Sequence, residues 1–164
     1  MAKALHFAID HKAQVINLSL SGPPDPLLGR LLDVALVRGI TVVGAFDPEL
    51  EGGGFPASHT GVVAVSDDPA APAGIYLAPG RGVPTTQPGG RWYLVNGASY
   101  SAAHVSGLFA LMRERSPLAQ GAVALVSQRP GGGAIDTCAT LMRAAGPCAC
   151  ACARPPEYSA IVRQ

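Results

Sequence analysis

The chain has 164 residues, 48% hydrophobic and 14% charged, with a formal net charge of +1; this fits one domain with a sizeable apolar core and excludes a disordered or polyelectrolyte chain. Near-neutral charge, the absence of a basic run and an aromatic content of 5% leave no footprint for nucleic acid. No apolar stretch attains the roughly 18 residues of a membrane span, and Lys3 and His6 break a signal-peptide pattern early, so the sequence encodes neither a membrane span nor export and the compartment stays open.

Helical and extended patterns alternate from the start. Residues 3–12 read as a short helix and 14–20 as a strand, followed by the loop Gly22-Pro23-Pro24-Asp25-Pro26. A second helix is predicted over 27–38, where Leu28, Leu31, Leu32 and Ala35 share a face, Pro26 opens it and Gly39 closes it. Residues 40–45 are nearly all apolar, as in a strand buried on both faces of a parallel sheet. A Gly- and Pro-rich loop over 48–61 leads to strands at 62–65 and 75–77, and Trp92-Tyr93-Leu94-Val95 is again strand-like. This alternation predicts an α/β layer fold with a mainly parallel sheet. Beyond it, 118–127 reads as a helix, 130–133 as a loop and 134–145 as a further helix. Residues 146–164 form a Cys-, Pro- and Ala-rich tail, which leaves 1–145 as the globular domain.

The segment with most chemical content is Asn96-Gly97-Ala98-Ser99-Tyr100-Ser101-Ala102-Ala103-His104-Val105-Ser106-Gly107. Asn-Gly marks a tight turn, and Ala102, Val105, Leu108, Phe109 and Met112 recur at the spacing of a buried helix face. Ser99 thus falls at a helix start, beside unpaired backbone N–H groups and the positive end of the helix dipole. That position suits an ordinary N-cap, and it equally suits a nucleophile whose reaction builds an oxyanion.

NGASYSAAHVSG resembles the nucleophile segment GTSMAxPHVAG of the subtilisin-like serine peptidases (peptidase family S8), departing at Ala98, Tyr100 and Ala103. Four other segments are similar to family elements in the family's order. VINLSLSGP, residues 15–23, resembles the VINMSLGGP strand; Phe55-Pro56-Ala57-Ser58 with Gly61-Val62-Val63-Ala64-Val65 resembles YPAxxPxVIAV; Leu77-Ala78-Pro79-Gly80 matches an APG turn; and Gly132-Gly133-Ala134-Ile135-Asp136 resembles a late GxGxVD element. The likeness covers about residues 4–140 and implies a three-layer α/β fold, a serine endopeptidase activity with Ser99 as nucleophile, and a peptide or protein substrate. Ser19, Leu20, Ser21 and Gly22 would bind that peptide by β-strand addition. No cofactor and no metal-binding residue is implied.

Serine is a weak nucleophile at neutral pH and needs a histidine base held by a carboxylate. The family carries these in D-x-G and HGTHVAG segments of an N-terminal half, and neither motif occurs among these 164 residues. The chain therefore resembles the C-terminal half of a peptidase domain, and a complementing N-terminal half is an expected partner. Alone it is expected to expose an unpaired sheet edge and to be poorly soluble. An alternative is an inactive peptide-binding or interaction module. Of the four histidines, His104 is expected to pack its helix, and His6, His11 and His59 to face the surface or a partner. The oxyanion hole also departs from the family: the Ser99 backbone N–H is one donor, but Asp47 stands where AAGN supplies asparagine, and an ionised carboxylate cannot donate. Asp47 would serve only if protonated, or would be a plain Asp-Pro turn. Residues 66–72 form a shorter linker than the family excursion there. Cys138, Cys148, Cys150 and Cys152 are compatible with a disulfide from Cys138 to the tail, with a zinc site, or with unpaired side chains.

Overall fold

The computed structural model describes residues 1–115 and 124–145. The elements in chain order are α1 (Ala2–Asp10), β1 (Val15–Leu18), α2 (Pro26–Val37), β2 (Thr41–Ala45), a 3-10 turn (Glu51–Gly53), β3 (Val63–Ser66), β4 (Tyr76–Leu77), β5 (Val83–Gln87), β6 (Arg91–Val95), α3 (Ala98–Arg115), β7 (Ser127–Arg129), β8 (Gly132–Ile135) and α4 (Thr137–Ala145). Six strands form one sheet in the order β1-β2-β3-β4-β8-β7, parallel throughout except for the β7–β8 pair, while β5 and β6 make a separate antiparallel hairpin.

Helices cover both faces of the sheet, giving three layers. On one face Leu5 and Ile9 of α1 and Leu32 and Ala35 of α2 pack with Ile16, Val42 and Phe55. On the other, Ala102, Val105, Leu108, Phe109 and Met112 of α3 pack against Val43, Ala45 and Val65. Alternate residues of β2 thus feed opposite cores, which is why its sequence is apolar without a break.

Local chemistry sets the helix ends. The Asp25 carboxylate accepts from the N–H groups of Leu27 and Leu28, with Pro26 in the first turn of α2. Gly39, at φ +75°, ends that helix: its N–H donates to Leu36 O and that of Ile40 to Ala35 O, a Schellman closure.

The C-terminal part differs from expectation. Gly132 and Gly133 lie in β8 and not in a loop; a Cβ on Gly132 would stand 3.0 Å from Gly74 N and Ile75 O, and Gly133 N–H donates to Ile75 O. Glycine here permits close strand packing, which composition alone reads as a turn. The last helix begins at Thr137 instead of 134, because Asp136 caps it by accepting from Ala139 N–H at 2.8 Å. Of the helix expected over 118–127, residues 118–123 lie outside the described residues; 124–126 are not helical, and Ser127 opens β7. Buried Thr140 accepts from Val126 N–H, tying that stretch to α4.

Candidate active site

The site is built where α3 begins. Gly80 makes the approach possible: a Cβ there would fall 2.2 Å from Ser101 Oγ, 2.6 Å from Asp67 Cβ and 2.9 Å from Gly97 O. With no side chain in the way, Gly97 N–H donates to Gly80 O at 2.7 Å, Ser101 Oγ donates to Ala78 O at 2.9 Å, and Asn96 Oδ1 accepts from Gly82 N–H at 2.8 Å. The APG turn and the Asn-Gly turn are thereby locked together, and Gly97 at φ +139° turns the chain into the helix.

Ser99 is the second residue of α3, inside the helix instead of preceding it as a cap would. Its hydroxyl donates to the carbonyl oxygen of Ser19 at 3.2 Å, and Ser19 Oγ donates to the carbonyl of Ser99 at 2.9 Å. Ser19 Oγ also accepts a 2.9 Å bond from Asn17 Nδ2. Ser99 lines a cleft of about 330 Å³ together with Leu20, Ser21, Phe46, Asp47, Asp67 and Arg81. Gly22 lies one step along, joined to Phe55 by a reciprocal pair of backbone bonds.

Asp47 faces this cleft as an acceptor. One carboxylate oxygen takes a 2.8 Å bond from Ser21 Oγ and the other a 3.0 Å bond from Glu49 N–H. Both bonds suit the ionised form, and neither presents a proton to a developing oxyanion. The backbone also turns here, Leu50 N–H donating to Asp47 O, so the plain-turn reading of Asp47-Pro48 has structural content.

None of the histidines is hydrogen-bonded to Ser99. The His104 Nδ1 is 2.9 Å from Pro79 O, His59 Nε2 pairs with Asp33 at 2.9 Å, His6 pairs with Asp10 at 3.2 Å, and His11 bonds Phe7 O and stacks on the Phe7 ring. Each ring is thus committed within its own neighbourhood. Among the described residues no group of three or more His, Cys, Asp or Glu side chains could hold a metal ion, and no helix is long and apolar enough to cross a membrane.

Sequence reasoning passed over one pair at this cleft. Asp67, only 16% exposed at its side chain, holds Arg81 at 3.0 Å. Asp67 sits in the stretch read as a linker, and Arg81 directly follows the APG turn; a charge next to a motif was the only available signal.

No family model matches the chain. Curated relatives do: it is 32% identical over 129 residues to Subtilisin NAT of Bacillus subtilis subsp. natto, 33% identical to Subtilisin of Bacillus pumilus and 31% identical to Subtilisin Savinase of Lederbergia lenta. The chain carries a subtilisin-like region of peptidase family S8. The alignments take in 69%, 69% and 71% of this chain and 34%, 47% and 48% of the relatives, so the chain spans about a third to a half of their length. Solved structures agree on the subtilisin-like fold. The prenylagaramide maturation protease PagA superposes with a TM-score of 0.58 at 25% identity over 69% of this chain and 48% of that one; the protease domain of PatA gives 0.69 at 21% identity over 88% and 64%.

Proposed function

We propose that this subtilisin-like region supplies the nucleophile half of a serine endopeptidase, with Ser99 as the attacking residue and the histidine base and its carboxylate partner coming from residues outside these 164. The observation that carries the reading is the position of Ser99: in the first turn of α3, on the wall of the cleft, against the carbonyl of Ser19. Backbone N–H groups of a first helical turn have no intrahelical partner, and the helix dipole favours negative charge there. The Ser99 N–H is therefore the proposed donor to the oxyanion.

In the proposed reaction an extended peptide lies along Ser19, Leu20, Ser21 and Gly22, the continuation of β1. Ser99 Oγ forms a bond to the scissile carbonyl carbon while its proton passes to the external imidazole; the C–N bond then breaks and the imidazole returns that proton to the leaving amine. Water attacks the acyl-enzyme in a second, symmetrical round. Asp47, a carboxylate accepting from Ser21 and Glu49, leaves this oxyanion site without the side-chain donor whose loss typically costs about 10² to 10³ in rate. A slow peptidase is the expected outcome.

A second reading, an inactive peptide-binding module, is favoured by the commitment of all four imidazoles away from Ser99. The two are separated by co-expressing the chain with a polypeptide that carries the D-x-G and HGTHVAG segments of a subtilisin and assaying the purified complex for peptide hydrolysis. Turnover that disappears in Ser99→Ala supports the peptidase; an assembled complex that binds peptide without turnover supports the module.

A further inference from the structure

The Ser99 cleft carries an imbalance of charge that acyl transfer itself does not use. Asp47, Asp67 and Asp68 all line it, and Arg81 is the one cation among its lining residues. Asp67 is 16% exposed at its side chain and takes the Arg81 Nε–H on Oδ2, whereas Arg81 itself is 67% exposed. Asp68 is half-buried and takes Ala70 N–H on Oδ1. The remaining oxygens, Asp67 Oδ1 and Asp68 Oδ2, have no hydrogen-bond partner among the described residues.

We propose that this cleft selects a cationic side chain, lysine or arginine, at the peptide residue whose carbonyl faces Ser99. The inference rests on the reading of the cleft as the seat of the reacting peptide and adds the class of side chain it takes.

Three side-chain chemistries compete for the space, and two are disfavoured. An apolar group would strip water from the two unpartnered carboxylate oxygens and offer no donor in return. A carboxylate would add like charge to a cleft that already holds two negative charges in excess. An ammonium brings three donors and a guanidinium five, which is what such oxygens accept. Arg81 demonstrates the pairing within the chain, since Asp67 already holds a guanidinium. Ser66, 1% exposed, adds a hydroxyl oxygen to the same lining. Leu20, Ala45 and Phe46 supply an apolar part of the wall along which the methylene stem of a lysine or arginine lies while its charged head meets the carboxylates. Arg81 competes with the incoming cation for Asp67, and its removal therefore acts in the opposite direction to loss of a carboxylate.

The test uses the chain assembled with the polypeptide that carries the D-x-G and HGTHVAG segments. Three peptides are compared, identical except for lysine, norleucine or glutamate before the scissile bond. Fluorescence anisotropy on the Ser99→Ala complex reads binding, and kcat/KM is measured on the parent complex. The lysine peptide is expected to bind about 10- to 100-fold more tightly than the norleucine peptide, and the glutamate peptide most weakly. Asp68→Asn should lower the affinity for lysine and leave that for norleucine in place, a split that general loss of structure does not produce. Arg81→Ala, by freeing Asp67, should widen the lysine advantage. Equal affinities, a preference for norleucine or glutamate, or a complex that binds none of the three peptides overturns the proposal. The two readings fail separately: ranked binding without turnover contradicts the peptidase and supports the cation site, whereas turnover indifferent to the side chain contradicts the cation site alone.

Discussion

Ser99 and Ser19, eighty positions apart, exchange hydrogen bonds: each hydroxyl donates to the other residue's carbonyl, at 3.2 Å from Ser99 and 2.9 Å from Ser19. The pair fastens the start of α3 to the chain leaving β1 and fixes where the Ser99 side chain stands. Ser19→Ala removes one of the two bonds from a half-buried place and is expected to cost about 1 kcal/mol. Urea unfolding measures it. Ser19→Thr keeps the hydroxyl and should recover most of the loss, whereas an alanine variant as stable as the parent contradicts the assignment.

Gly80 is the second fastening. A methyl group at this position must displace Ser101 Oγ, Asp67 Cβ or the Gly97 carbonyl, all within 2.9 Å of it. Gly80→Ala is expected to lose about 1–3 kcal/mol through overpacking. Gly22→Ala meets nothing within 4 Å and should stay within about 0.5 kcal/mol of the parent. Equal unfolding midpoints for the two variants would show that the Gly80 contact carries no cost.

Leu32 tests the core under the other face of the sheet. It is fully buried among Leu5, Ile9, Ile16 and Val42. Leu32→Ala should destabilise by about 2–5 kcal/mol, while Val37→Ala, on the same helix but 88% exposed, should change stability by less than about 0.5 kcal/mol. Paired thermal melts decide this, and similar melting temperatures would remove α2 from the core.

The cap on α2 gives a smaller and equally specific effect. Asp25 accepts from two N–H groups of the first turn. Asp25→Ala is expected to cost about 1 kcal/mol; Asp25→Ser, which can still accept, should cost less. The reverse order in denaturant midpoints would contradict the capping role.

The α/β alternation through β3 was legible because each signal there is local and redundant. Pro26 and Gly39 bracket α2, and the unbroken apolar run of β2 matches a strand buried on both faces. Legibility failed where glycine has a tertiary reason. Gly132 reads as part of a loop, yet it is a strand residue packed so closely on the backbone of Gly74 and Ile75 that a Cβ would stand 3.0 Å from it. Likewise, the spacing around Ser99 located a helix start and a candidate nucleophile, but only the folded chain reveals that Ser19 O receives its hydroxyl. The acceptor state of Asp47 and its bond to Ser21 depend on contacts 26 positions apart, beyond any local pattern. The same holds for the Asp67–Arg81 pair, whose partners are 14 positions apart and meet beside Gly80, which packs against Asp67.

The most direct test of the central claim is intact-mass analysis after treatment with a fluorophosphonate, which reacts with serines already activated by a base. The folded 164-residue chain alone should give no adduct, and one adduct, absent from Ser99→Ala, should form once the D-x-G and HGTHVAG segments are supplied. An adduct on Ser99 in the chain alone would contradict the claim by showing a base within these residues, and an assembled complex without an adduct would contradict Ser99 as the nucleophile.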